Sequence, residues 1–181
     1  MDKITKLQIF DFDETFFRMP SYSSIPHADT EKFKDAYSFY DSSESLSDIN
    51  YNIKVIEPVY EAWSSGKNDM STVQALITHR VTEVASDVMK ILNIRRISFD
   101  YYFFLGRVSP KSDEIFNMLR ANPSIDTIEI YEDSINEIFK YQSFFNKNKH
   151  NMDIRYYIVD KSSMFRISDV ELTEAKRIKL I

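Results

Sequence analysis

Ile9-Phe10-Asp11-Phe12-Asp13-Glu14-Thr15 is the stretch of this 181-residue chain that decides how the rest is read. Lys6 to Phe10 is mostly apolar and short, as a buried strand is, and it runs directly into acids. In open parallel sheets, ligands bind outside the carboxyl ends of the strands, where Asp11 and Asp13 stand. Strand alternation would place both side chains on one side of the backbone. Two like charges so close repel, and a divalent cation would remove the conflict. An all-oxygen pair of carboxylates suits Mg²⁺, which keeps several waters and leaves room for a phosphate oxygen. A turn cap after the strand is the other reading of the same two acids.

Outward from this stretch, four further strands are expected: Thr72 to Thr78, Ile97 to Leu105, Asp126 to Tyr131 and Ile154 to Val159. Helical spacing fills the gaps. Val81, Val84, Ala85, Val88, Met89 and Leu92 share one face, as do Ile115, Met118 and Leu119, and then Ile135, Ile138, Phe139 and Phe145. Ile56, Val59, Tyr60 and Trp63 repeat the pattern, with Pro58 in a first turn and Gly66 as the expected terminator. Alternating strands and helices predict an α/β, Rossmann-like three-layer sandwich: a central parallel sheet, helices on both faces, right-handed crossovers. The chain reads as one domain, 1–181, with its core at about 4–15 and 53–160. Residues 16–52, rich in Ser, Asp and Tyr, are too long for a structureless loop and read as a small lid inserted after the first strand. A surface excursion is the alternative. The tail, 161–181, shows only Val170, Leu172, Ala175 and Ile178 at regular spacing.

Composition excludes several classes. At 43% apolar, 28% charged and 14% aromatic the chain is not a disordered one. The absence of cysteine rules out disulfides, thiolate zinc sites, iron–sulfur clusters and a thiol nucleophile. Only Gly66 and Gly106 are glycines, so neither a P-loop nor a dinucleotide fingerprint can be written. No apolar run is long enough to span a membrane, and the first residues lead into a strand rather than a secretory segment; a cytoplasmic protein is expected. Net charge is −5, which argues against coating nucleic acid by bulk charge. Residues 140–181 are the basic part, with nine Lys and Arg against five Asp and Glu. They form either a solvated face or a rim facing phosphate.

A second acidic pair, Glu132-Asp133, ends the strand that holds Ile128 and Ile130. It can meet Asp11 only if the two strands are neighbours. Between them in sequence come Thr78, at a strand end, and Lys111, at a helix start: a hydroxyl and an ammonium suited to holding phosphate. In this order the motifs Asp11-x-Asp13-x-Thr15, Thr78 in ALITHR, Lys111 in SPKSDE and Glu132-Asp133 in IEIYED resemble the haloacid-dehalogenase (HAD) superfamily over residues 5–160. DFDETFFRMP, DMSTVQALITHR and IEIYEDSINEIF look most like its Swiss-Army-Knife RNA-repair-like branch. His79 departs from that branch's Gly, and Ser134 from its Arg.

The resemblance implies phosphoryl transfer through an aspartyl-phosphate. Asp11 would be nucleophile and Mg²⁺ ligand. Asp13 would be acid and then base, touching the metal through its backbone carbonyl. Lys111 would offset charge, Thr15 would brace the turn, and Thr78 would bind phosphate. Asp133 would complete the metal shell with Glu132 as its neighbour. Arg18, His79 and Arg80 are candidate substrate contacts, and Arg107 a further one. Each could equally be an ordinary surface or satisfied side chain. Phe16, Phe17, Tyr22, Tyr37, Phe39 and Tyr40 read as core or as base-stacking rings. The expected function is a Mg²⁺-dependent phosphatase whose phosphorylated substrate is a nucleotide or nucleic-acid end. A small-metabolite phosphatase and a non-enzymatic HAD-fold binding protein are the alternatives.

Overall fold

β1 (Lys6–Phe10) is flanked on both sides by parallel strands that come much later in the chain. The computed structural model describes residues 3–25, 31–47, 51–148, 152–168, 171, 172 and 174. After β1 come β2 (Phe17–Arg18), the short helix α1 (Ala36–Tyr40), β3 (Lys54–Val55) and α2 (Glu57–Lys67). Then follow β4 (Thr72–Thr78), α3 (Ala85–Ile94), β5 (Tyr101–Phe104), α4 (Lys111–Ala121), β6 (Thr127–Glu132), α5 (Ile135–Asn148), β7 (Asp153–Asp160) and β8 (Ser163–Ile167). The main sheet runs β5-β4-β1-β6-β7-β8. Its first five strands are parallel, and β8 folds back antiparallel on β7.

Alternation along β1 sends successive side chains into two separate cores. Leu7 and Ile9 join Ile115, Leu119, Ile138 and Phe145 of α4 and α5. Phe10 joins Val59, Trp63, Val88 and Leu92 of α2 and α3. The sheet is therefore covered on both faces, as expected of an α/β sandwich. On the Phe10 face the register aligns Phe10, Tyr131 and Tyr157, whose rings stack at 4.5 and 4.7 Å. Such pairs add about 0.5–1.5 kcal/mol each beyond burial.

Two residues earlier on each strand, the same face carries a buried polar row. Gln74 Nε2 donates to Gln8 Oε1 at 2.8 Å, and Gln8 Nε2 donates to Glu129 Oε2 at 2.8 Å. Gly66 packs onto this row, and a Cβ there would lie 1.9 Å from Gln8 Oε1. It sits inside α2, not beyond it, so the expected terminator is instead a close-approach glycine. A side chain at this position would collide with a hydrogen-bonded carboxamide.

Other differences have local causes. The expected strand over 97–105 is only β5, because Ile97 and Phe99 are buried in the core before the pairing with β4 begins. β8 leaves no signal in the sequence: its exposed, mixed residues pair only with β7 and carry no burial pattern. It extends the core sheet beyond 160. Val170, Ala175 and Ile178 lie outside the described residues, while Leu172 is buried against the α4–α5 core.

At the base of the inserted segment, β2 pairs antiparallel with β3, which directly follows the segment. Asp35 and Ser38 form a capping box at the start of α1. Phe16, Phe17 and Phe39 are fully buried, which makes them core residues, while Tyr37 stands 63% exposed. Residues 26–30 and 48–50 of the expected lid lie outside the described residues.

Candidate functional site

The strand order reverses direction beside β1. The chain moves outward from β1 through β4 to β5, then returns to the other side of β1 for β6 and β7. The crevice between the carboxyl ends of β1 and β6 is thus a topological switch point, where open α/β sheets bind ligands. Phe10 pairs with Tyr131, and Asp11 N–H donates to Tyr131 O at 3.1 Å, so Asp11 and Glu132 leave the sheet side by side. Both point to the α4–α5 face. Lys111, first residue of α4, is 2% exposed there. Its Nζ donates to Asp11 Oδ1 at 2.7 Å and to Glu132 Oε2 at 2.8 Å.

One carboxylate oxygen from each of Asp11, Glu132 and Asp133 lies within 4.8 Å of the others. Burial first, then neighbouring carboxylates, pushes Asp11 up to about 7 despite Lys111. Glu132 is pushed up to about 7 by burial and by Asp133, again against Lys111. Asp133 reaches about 6 through burial and Asp11. Burial pulls Lys111 down, but Asp11 and Glu132 outweigh it, and its pKa ends well above the ordinary value. Three acids around one ammonium leave an unbalanced negative charge among oxygen donors. That donor set fits a hard divalent cation. Glu132 already spends one oxygen on Lys111 and the other on Ser134 N–H at 3.3 Å. Asp11 and Asp133 are therefore the carboxylates best placed to ligate a metal.

Asp13 does not join this cluster through its side chain, contrary to the alternation argument. The strand stops at Phe10, and a tight turn follows. The N–H groups of Phe16 and Phe17 both donate to Phe12 O, and Glu14 has φ 54°. Asp13 is turned toward Arg80, whose Nε lies 3.0 and 3.1 Å from its two oxygens and whose Nη2 lies 2.6 Å from Oδ1. Arg80 is 2% exposed and also donates from Nη1 to Ser45 Oγ at 2.6 Å and to Tyr40 O. Its hydrogen bonds are thus spent inside the protein, so it is not placed as a free substrate contact.

Thr78 is wholly buried, and its Oγ1 accepts from Arg80 N–H at 3.1 Å. Thr15 is also wholly buried, and its Oγ1 has no partner among the described residues. The turn is braced instead by its backbone bonds and by Glu14 Oε1, which accepts from Met19 N–H at 2.8 Å. Arg18 lies exposed on β2 and is not among the residues that line the cleft with the acids. His79 does face the cleft: Nδ1 is 2.8 Å from Gly106 O and Nε2 is 3.9 Å from Glu137 Oε2. Glu137 raises the His79 pKa against partial burial, and Glu137 itself is lowered to about 2, with His79 the largest cause.

A cleft of about 610 Å³ joins Asp11, Asp13, Lys111 and Asp133 to the inserted segment at Tyr37, Tyr40 and Asp41. Arg107 closes one side, stacked 3.9 Å from the Tyr37 ring and paired with Asp41 at 2.7 Å. Glu137 and Lys140 line another side. Of these, Asp41, Glu137 and Lys140 escaped the sequence reading. Glu137 carried a usable signal, since it stands in the first turn of the helix that follows the Glu132-Asp133 pair. Asp41 carried none, because its place depends on the path of the insertion. Among the described residues, no helix is long and apolar enough to cross a membrane. Compared with models of protein families, with curated proteins and with solved structures, the chain matches none.

Proposed function

We propose that this protein is a Mg²⁺-dependent phosphomonoester hydrolase of the HAD type, working through an aspartyl-phosphate on Asp11. The observation that carries the reading is the meeting of Asp11, Lys111 and Asp133 at the switch point between β1 and β6. Asp11 meets there two residues that lie 100 or more positions further along the sequence. Mg²⁺, held by Asp11 and Asp133, would supply positive charge against the incoming phosphate dianion.

The protein's own groups account for the rest. An Asp11 oxygen attacks phosphorus as the bond to the leaving oxygen breaks. Lys111, already on Asp11 and Glu132, offsets the negative charge that gathers there. Asp13 gives a proton to the leaving oxygen, then takes one from the water that attacks the phosphoaspartate. Phosphate leaves and Asp11 is restored. Acid–base help of this kind is typically worth ~10²–10⁴ in rate.

The motif pattern favours a nucleotide or nucleic-acid phosphate end as substrate. A specific observation favours a second reading, a small phosphate ester. The cleft is lined by seven carboxylates, Asp11, Asp13, Glu14, Asp41, Glu132, Asp133 and Glu137, against Arg80, Arg107, Lys111, Lys140 and His79. Arg80 and Arg107 are already paired with Asp13 and Asp41, which leaves little positive surface for a polyanionic backbone.

A substrate panel with Mg²⁺ tests both readings, using 3′- and 5′-phosphorylated oligonucleotides, mononucleotides, sugar phosphates and p-nitrophenyl phosphate. Release confined to oligonucleotides selects the first, and release confined to small esters selects the second. Silence on all of them, with no Mg²⁺ bound, would overturn the enzymatic reading in favour of a binding protein.

A further inference from the structure

Arg80 makes two sets of bonds on opposite sides of its guanidinium. One side grips both oxygens of Asp13, and the other holds the inserted segment through Ser45 Oγ and Tyr40 O. The Tyr40 ring covers the guanidinium at 5.6 Å, and Ser45 is itself fully buried. Ser45 Oγ donates onward to Ser42 O at 2.8 Å, which ties the bridge into the backbone of the insertion. Below, Arg80 N–H donates to Thr78 Oγ1 at the end of β4. The side chain therefore bridges the turn after β1 and the insertion, while its own backbone is anchored at the end of β4.

Such a residue is not needed to fill space, since an apolar side chain would do that without burying a charge. Nor does Asp13 need a partner to stay soluble at a cleft wall, because its side chain is one-third exposed. What a planar, two-point grip adds is orientation: it removes the rotation of the carboxylate about its last torsion.

We propose that Arg80 is a positioning residue that fixes the Asp13 carboxylate and makes its orientation depend on where the Tyr40–Ser45 segment sits. The inference rests on the hydrolase reading above, in which Asp13 exchanges protons with the leaving group and with water. The insertion then does more than cover the cleft. Its docking onto Arg80 completes the acid–base group, and an undocked insertion leaves Asp13 unaimed.

The test is pre-steady-state release of p-nitrophenolate from p-nitrophenyl phosphate by wild type, Arg80→Lys, Ser45→Ala and Asp13→Asn. p-Nitrophenolate leaves without a proton, so loss of Asp13 orientation should spare the first turnover and slow the hydrolysis that follows. Arg80→Lys should show a burst of one equivalent, trapped phosphoprotein and a steady state slower by about 10- to 100-fold, with KM not raised. Asp13→Asn should show the same pattern, and the double variant should be no slower than Asp13→Asn alone. Ser45→Ala removes one remote partner and leaves Arg80 in place, so it folds more safely and should move the same way by less. If first and later turnovers slow alike in both Arg80→Lys and Ser45→Ala, or neither variant changes, the positioning role is wrong. A wild type that hydrolyses no ester defeats the hydrolase reading itself, a separate result.

Discussion

Lys111 Nζ faces two buried carboxylates at 2.7 and 2.8 Å, and Asp133 brings a third charge to the same place. A fold selected only for stability has little reason to collect them, since buried like charges repel and desolvation is costly. This imbalance decides what a substitution at Asp11 should do. Asp11→Asn keeps the shape and removes one of the charges that burial disfavours. Phosphate release should vanish while the metal-free thermal midpoint stays level or rises. Undiminished turnover would remove Asp11 from the nucleophile's role, and a large drop in midpoint would show that its charge serves the fold.

At the scale of elements, the turn and helices have different degrees of autonomy. β1 and β4 carry their signal locally, because buried parallel strands are short apolar runs, and both lie where the sequence places them. Lys111 and Asp133 were legible because each stands at an element boundary: Lys111 opens α4, and Asp133 directly follows β6. Arg80 stood out only as a candidate substrate contact, and its bridging role was not legible, since its partners come from a turn 67 residues away and an insertion 35 to 40 away. The direction of Asp13 departs from strand alternation because pairing, and with it the alternation, ends at Phe10. Gly66 shows how an element's packing can hide behind its propensity. Gly66→Ala should gain about 1 kcal/mol of helix propensity. Yet the new methyl would stand 1.9 Å from Gln8 Oε1 and 2.8 Å from Gln74 Nε2. Neither carboxamide can swing away without breaking the Gln74–Gln8–Glu129 row. A net loss of about 1–3 kcal/mol is expected, read as a lower urea midpoint at unchanged slope. A stabilised Gly66→Ala protein would mean that the row yields freely.

For the whole molecule, the acids couple folding to pH and, on the reading proposed above, to metal. In the folded chain Asp11 and Glu132 sit at about 7 and Asp133 at about 6, above ordinary values of 3.8, 4.5 and 3.8. Between roughly pH 4 and pH 7 the folded state thus holds more protons than the unfolded state, and these three groups make stability fall as pH rises. Lys111 does not counter the trend: its raised pKa gives stability that is fully present throughout that window and is lost only in strong alkali. A divalent cation held there would need the carboxylates deprotonated, so its affinity should climb through the same window and its binding should release protons. Mg²⁺ should therefore raise the thermal midpoint strongly at about pH 8 and weakly at about pH 5, as its differential affinity for the folded state dictates. Asp133→Asn should flatten that difference without unfolding the chain, since Asp133 is the most exposed of the three. Melting curves at the two pH values, with Mg²⁺ or with chelator, read the effect without any substrate. An equal shift at both, or a shift that survives Asp133→Asn, would place the cation elsewhere and detach the acidic cluster from the chemistry proposed for it.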